Sequence, residues 1–301
     1  MNVSKRLLAL ISALVVAILV LAGCGAGGGG ASSTSGGTLT LGNIGWTENV
    51  AVANLTKAVL EEDFDYKEVE LKTLDVGFLF EGVAGGDLDA FQDVWMPNHT
   101  QLLAEVENDV EHLKPWYEGQ TSFGLAVPSY MTGVNSIADL NQSGAERIIG
   151  IEPGAVISTK IEENVIPEYN LNLEHEPSST AAMLAEVERL YNDKEDFVFP
   201  PWCPHPMCSQ FDFRYLEDPK NAQGNLDQPA KISAIVNEDL PDDDPVAYAF
   251  IDNLRLNQDE LISLENEIAA AGDNPAKGVQ AWLEENGDVV KPAIDAAKQA
   301  Q

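Results

Sequence analysis

The sequence predicts an α/β fold built on mostly parallel sheets. Short β-like runs alternate with amphipathic helical stretches from Thr38 onward, the pattern of strands joined by crossover helices. The chain has 301 residues. That is long for one compact core and comfortable for two lobes, because single cores stop growing near about 250–300 residues. Hydrophobic residues make up 45% of it, so most of the chain is expected to fold.

Leu39 to Gly42 reads as a strand ending in glycine. Thr47 is placed to cap the helix that follows, with Glu48 in its first turn and Val52, Leu55 and Val59 on one face. Val69 to Leu74 reads as a second strand, Gly77 to Gly85 as a short amphipathic helix, and Leu88 to Trp95 as a third strand. Phe123 to Pro128 is strand, and Ser136 to Leu140 is a capped helical turn. Ile148 to Ile151 is strand; Pro153-Gly154 turns the chain toward a helix from Ser158. Ser179 to Tyr191 carries Met183, Leu184, Val187 and Leu190 as a helical stripe, and Phe197 to Phe199 precedes a proline-rich turn. From Asp243 onward the pattern is mostly helical, including Glu260 to Ala270 and Ala276 to Glu285. There is no internal repeat of fixed period.

The first 37 residues do not belong to this fold. Lys5 and Arg6 precede an apolar run from Leu7 to Ala22, which stops at Gly23-Cys24. That is the build of a secretory signal peptide over 1–23, and the run is short for a membrane span. Small residues ahead of the cysteine resemble a prokaryotic lipobox, in which the Cys24 thiol receives a lipid. An uncleaved anchor helix is the competing reading. Residues 24–37 are nearly all Gly, Ser, Ala and Thr, a composition that reads as a flexible lipidated tether. The expected location is therefore extracytoplasmic, anchored by lipid to the outer face of the cell membrane or on its periplasmic side.

Charge narrows the partners. Forty-nine acids against 17 bases give a formal net charge of -32. Nucleic acid is excluded as a partner, because binding a polyanion takes clustered Lys and Arg that release counterions. The surplus acid self-repels, so salt is expected to stabilise the fold. Three cysteines rule out a disulfide-built scaffold. No nucleophile elbow, zinc-protease helix or phosphate loop is present, so the chain is not expected to be an enzyme, and no cofactor is called for.

The tryptophans are the most informative residues. Trp46, Trp95 and Trp202 stand at strand ends rather than on a periodic core face. In open α/β sheets ligands bind outside the carboxyl ends of strands. Singly, each tryptophan is best read as capping a core edge; three in like positions favour a box of electron-rich faces for a cation that cannot donate hydrogen bonds, each contact contributing about 0.5–2 kcal/mol. Trp282 falls in a helical pattern and reads as core, and Trp116 is undecided. His99 follows Trp95 by four residues and is placed to donate to an anionic group. His205 lines the same cleft or braces the proline-rich turn; His112 and His175, among acids, read as solvated. Cys203, His205 and Cys208 admit three readings, ranked as a short-loop disulfide, free thiols, and a metal site short of a fourth ligand.

Taken together, these stretches resemble the glycine betaine/proline betaine substrate-binding proteins of ABC importers, a group with choline-binding relatives. The resemblance runs from about Thr38 to the end. It rests on Gly45-Trp46-Thr47-Glu48-Asn49, Asp93-Val94-Trp95-Met96-Pro97-Asn98-His99, Trp116-Tyr117-Glu118-Gly119, Gly150-Ile151-Glu152-Pro153-Gly154-Ala155 and Trp202 to His205. It implies a two-lobed periplasmic-binding-protein-like fold of type II, with ligand in the cleft. Lobe 1 takes 38–125 and 226–301, and lobe 2 takes 126–225. It further implies an aromatic cage of Trp46, Trp95 and Trp202 for a quaternary ammonium head. His99 and the backbone amides of Val156 and Ile157 then receive a carboxylate. The implied function is capture of glycine betaine or proline betaine for osmoprotection, with ABC permease and ATPase subunits as partners and choline or carnitine as the alternative ligand. Pro206 stands where relatives often carry an aromatic. Glu48 is read as favouring the helix start rather than supporting the cation, the role of an acid at that place in choline-type relatives. The rivals from other classes are a secreted enzyme using Cys203, His205 and Cys208, and a surface adhesion module.

Overall fold

A computed structural model of the chain describes residues 37–301. The signal segment 1–23, the lipidation site Cys24 and the tether up to residue 36 lie outside the described residues. Five strands make the first sheet: β1 (Thr38–Asn43), β2 (Glu68–Thr73), β3 (Ala90–Met96), β4 (Val110–His112) and, from far along the chain, β11 (Lys231–Asn237), in the order β2-β1-β3-β11-β4. β1 pairs in parallel with β2 and β3, whereas β11 runs antiparallel to β3 and β4, so the sheet is mixed rather than mostly parallel.

β11 was not among the expected strands. Its Ile232, Ser233, Ala234, Ile235 and Val236 are all buried, the near-continuous apolar run of a strand covered on both faces. Ser233, the one polar member, donates its hydroxyl to Val94 O at 3.2 Å. Helix α1 (Thr47–Asp63) packs on this sheet through Val52, Leu55, Val59 and Leu60. Full burial of each such side chain contributes about 1.5–3 kcal/mol. Helix α2 (Val76–Ala84) buries Val76, Leu79, Phe80 and Val83 beside it.

The second group of strands is β5 (Ser122–Phe123), β6 (Ala126–Pro128), β7 (Arg147–Ile149), β8 (Glu174–Glu176), β9 (Trp202–Cys203) and β10 (Phe213–Tyr215). β10 pairs with β6, β5 with β9, and β7 with β8. The expected strand over Phe197 to Phe199 joins two of these pairs. Phe199 and Ala126 exchange backbone hydrogen bonds, and Val198 bonds Arg147 and Ile149 on its other edge. Helix α3 (Val156–Lys160) follows β7 and runs on through a π-helical turn at Ile161–Val165. It starts two residues earlier than the sequence suggested. Helix α4 (Thr180–Asp193) is capped by Ser179, whose hydroxyl accepts from Ala182 N.

Two segments connect the groups, near Thr121 and near Ala230. Thr121 Oγ1 accepts from Ala230 N and donates to Ala230 O. The chain closes with helices α5 (Gln258–Ala270) and α6 (Pro275–Gln299), which pack on α1. Gly278 lets them approach: a Cβ there would lie 2.5 Å from Ile268 Cα. Trp282 is core, as expected, and Trp116 is core as well, its indole donating to Gln92 O at 2.7 Å. Among the described residues, no helix is long and apolar enough to cross a membrane.

Candidate functional site

The loops that follow β1, β3 and β7 meet the β9 loop around one cavity. Its walls include all six residues singled out from the sequence: Trp46, Trp95, Trp202, His99, Val156 and Ile157. Glu48, Asn98 and Phe123 also line it.

Local folding explains each position. Gly45, at φ 89°, turns the chain in a conformation that favours glycine, and Trp46 then takes the N-cap position of α1. The expected cap, Thr47, does not act as one; its hydroxyl instead pairs with His205 Nε2 at 2.8 Å. Trp95 sits at the end of β3. Its backbone N–H donates to His99 Nδ1 at 3.2 Å, and its carbonyl accepts from His99 N at 2.8 Å. With Nδ1 acting as acceptor, His99 carries its proton on Nε2. Burial lowers its pKa to about 4, so at neutral pH it is an uncharged donor. Val156 and Ile157 open a helix, where first-turn amides have no intrahelical acceptor.

The three cage-position tryptophans share one device: each indole N–H donates to a carboxylate. Trp46 Nε1 donates to Glu152 Oε2 at 3.2 Å, Trp95 Nε1 to Asp93 Oδ1 at 2.8 Å, and Trp202 Nε1 to Glu48 Oε2 at 3.0 Å. Glu152 is itself fixed by Thr180, whose N–H and hydroxyl donate to it at 2.7 and 3.0 Å. Trp46 belongs to the first strand group and Glu152 follows β7. Trp202 belongs to the second group and Glu48 to α1. The two pairs therefore cross in opposite directions between the sheets. An indole N–H that donates to a carboxyl group increases the electron density offered by its ring face.

Glu48 therefore does more than favour a helix start. It is 1% exposed, and burial raises its pKa to about 7 against the hydrogen bonds from its own backbone and the indoles. Behind it lie Asp93 and Glu265, also buried, their pKa values pushed well up by burial first and by the charge of Glu48 next. None of the ion pairs among the described residues includes any of these three acids.

Cys203 and Cys208 form a disulfide, which removes the free-thiol reading. No group of three or more potential ligands is arranged for a metal among the described residues. His205 is a brace. Its Nδ1 accepts from Met207 N at 2.9 Å, and its ring packs edge-on to Trp202, centroids 4.8 Å apart. The disulfide thus closes the short loop that carries His205 and begins next to Trp202. Replacing both cysteines by serine, or adding reductant, is expected to cost about 2 kcal/mol for a loop of this length. The melting temperature should fall by roughly 4–8 °C in scanning calorimetry. His175, expected in solvent, is a correction: its side chain is 3% exposed and paired with Glu162 at 3.0 Å.

Sequence reasoning missed Asn98, Asp93, Glu152 and Phe123 as parts of this site. Asn98 stood inside a quoted motif without a role, and the acids were hidden among 49.

Comparison with known proteins bears on this arrangement. Residues 37–285 match the family described as the substrate binding domain of ABC-type glycine betaine transport system. The glycine betaine/carnitine transport binding protein GbuC of Listeria monocytogenes is 33% identical over 160 residues, 52% of this chain and 52% of that protein. The match thus spans about half the length of that curated relative. The crystal structure of lactococcal OpuAC, closed on glycine betaine, superposes with a TM-score of 0.74 at 29% identity, covering 85% of this chain and 99% of that one. ProX of Borrelia burgdorferi gives a TM-score of 0.78 at 24% identity over 88% and 100% of the two chains, a likeness of fold.

Proposed function

The chain belongs to the family of substrate-binding domains of ABC-type glycine betaine transport systems, and from that premise we propose that its cleft captures glycine betaine or a related betaine for an ABC importer. The family serves transport and is not an enzyme family. The observation that carries the proposal is the single cavity shared by three indole rings, a neutral histidine donor and a helix start.

A trimethylammonium group has no N–H to donate, so only π-faces and diffuse negative charge hold it well. Trp46, Trp95 and Trp202 are assigned that role. A carboxylate needs donors instead. His99 Nε2 and the amides of Val156 and Ile157 are assigned that one, each charge-assisted bond contributing about 1.5–3 kcal/mol. The crossed indole–carboxylate pairs tie cage completion to closure of the cleft, so ligand favours the closed state through contacts the open state lacks. The lobes proposed to close are 38–125 with 226–301, and 126–225, hinged at the Thr121–Ala230 crossing. Cys24 is proposed as the lipid anchor that holds the protein at the outer face of the membrane, where a permease and its ATPase receive the solute.

Choline or carnitine is the second reading, and one observation favours choline: the Glu48 carboxylate lines the cavity and suits a cation that brings no carboxylate of its own. Titration calorimetry separates the two. With protein starting after Cys24 and freed of bound solute, glycine betaine is expected to bind tightly and choline weakly, at low and high salt. Choline preferred would keep the cage and move the argument from His99 to Glu48. Silence from both in folded protein would remove the cage.

A further inference from the structure

Asn98 is buried, at 7% exposure, and lines the cavity beside His99. Neither its Nδ2 nor its Oδ1 has a hydrogen-bond partner. Among the described residues, the other unpartnered buried side-chain atoms, on Asn49, Gln92, Asp93, His175 and Glu265, belong to residues that do not line this cavity. A buried amide left without partners costs about 1–3 kcal/mol for each unsatisfied group. Nothing in the packing offsets that cost, whereas a ligand in the cavity would.

The chemistry of the wall says what Asn98 adds. His99 Nε2 and the Val156 and Ile157 amides are donors only. Glu48 is an acceptor, with one oxygen engaged by Trp202. Asn98 brings a donor and an acceptor in one group that stays neutral at every pH. We propose that Asn98 is a direct contact to the ligand's polar tail and sets tail specificity: Nδ2 donates to a carboxylate, and Oδ1 accepts from a hydroxyl. This rests on the betaine reading above and deepens it. It predicts a site built for a carboxylate that retains measurable affinity for a hydroxyl tail.

The test is calorimetry with three cations that share the quaternary head: glycine betaine, choline, and tetramethylammonium, which has no tail. In Asn98→Asp, the near-isosteric change removes both N–H donors. Betaine affinity is expected to fall at least tenfold, while choline, whose hydroxyl donates to the new carboxylate, does not weaken. In Asn98→Ala, betaine again weakens about tenfold and tetramethylammonium stays within twofold of the parent. Parallel loss of all three ligands would mark Asn98 as structural and overturn the assignment, as would unchanged betaine affinity. Failure of the parent protein to bind betaine at all would instead overturn the function proposed above, so the two failures are distinct.

Discussion

Trp95→Ala should weaken glycine betaine binding about a hundredfold, close to 2.7 kcal/mol, while the protein stays folded. Two losses add up to that figure. One is the cation–π contact, about 2 kcal/mol where the ring is dry, and Trp95 is only 4% exposed. The other is the wall itself, since Trp95 packs toward Phe123 with centroids 6.4 Å apart and its removal admits water. The substitution also leaves Asp93 without its indole donor. Trp95→Phe is therefore the informative partner variant. It keeps a π-face but loses the N–H, and should retain more affinity than alanine, with circular dichroism checking that both fold. Unchanged affinity in Trp95→Ala would take Trp95 out of the cage.

The tryptophans of the cavity were legible because that residue is conspicuous. Three of them stood at strand ends, where no periodic core face explains them, and each end proved to open on the same cavity. The helix start after Pro153-Gly154 was legible for a similar reason, since the turn signal is local. What escaped depended on burial and distance. Glu48, Asp93 and Glu152 look like any other acids in a chain that has 49, and only their contacts with indole N–H groups set them apart. Asn98 was visible as a letter, but an unpaired amide is a property of three-dimensional surroundings. β11 lay unrecognised because its partners, β3 and β4, are more than a hundred residues upstream, and pairing over that separation leaves no local mark beyond one apolar run. Thr47 shows local rules overridden: a good capping residue in a capping place is drawn to His205 instead.

The second large effect is a pH dependence, and it runs opposite to that of an ordinary paired carboxylate. Glu48 titrates near 7 in the folded protein against about 4.5 for the free side chain. A group raised in this way contributes its stability fully below the unfolded value and loses it as pH rises through the folded one. Ionising Glu48 in the ligand-free protein therefore costs about 3 kcal/mol between pH 4.5 and 8, roughly 6–12 °C in melting temperature. The groups packed around it do not relieve that cost. Asp93 and Glu265 are acids pushed upward by the same burial, and His99 and His205, both lowered to about 4, are neutral over this range. Tyr117, raised to about 12, stays protonated. The countercharge that fits is the ligand's own quaternary ammonium, which favours ionised Glu48 and releases its proton on binding. Betaine should thus bind about tenfold more tightly at pH 8 than at pH 5.5, with calorimetric heats that depend on the ionisation enthalpy of the buffer. In Glu48→Gln, which keeps an acceptor for Trp202, the ligand-free protein should gain stability at pH 8, and both the pH slope and the buffer dependence should flatten. Parent and variant with the same pH profile would show that Glu48 does not exchange its proton for the ligand.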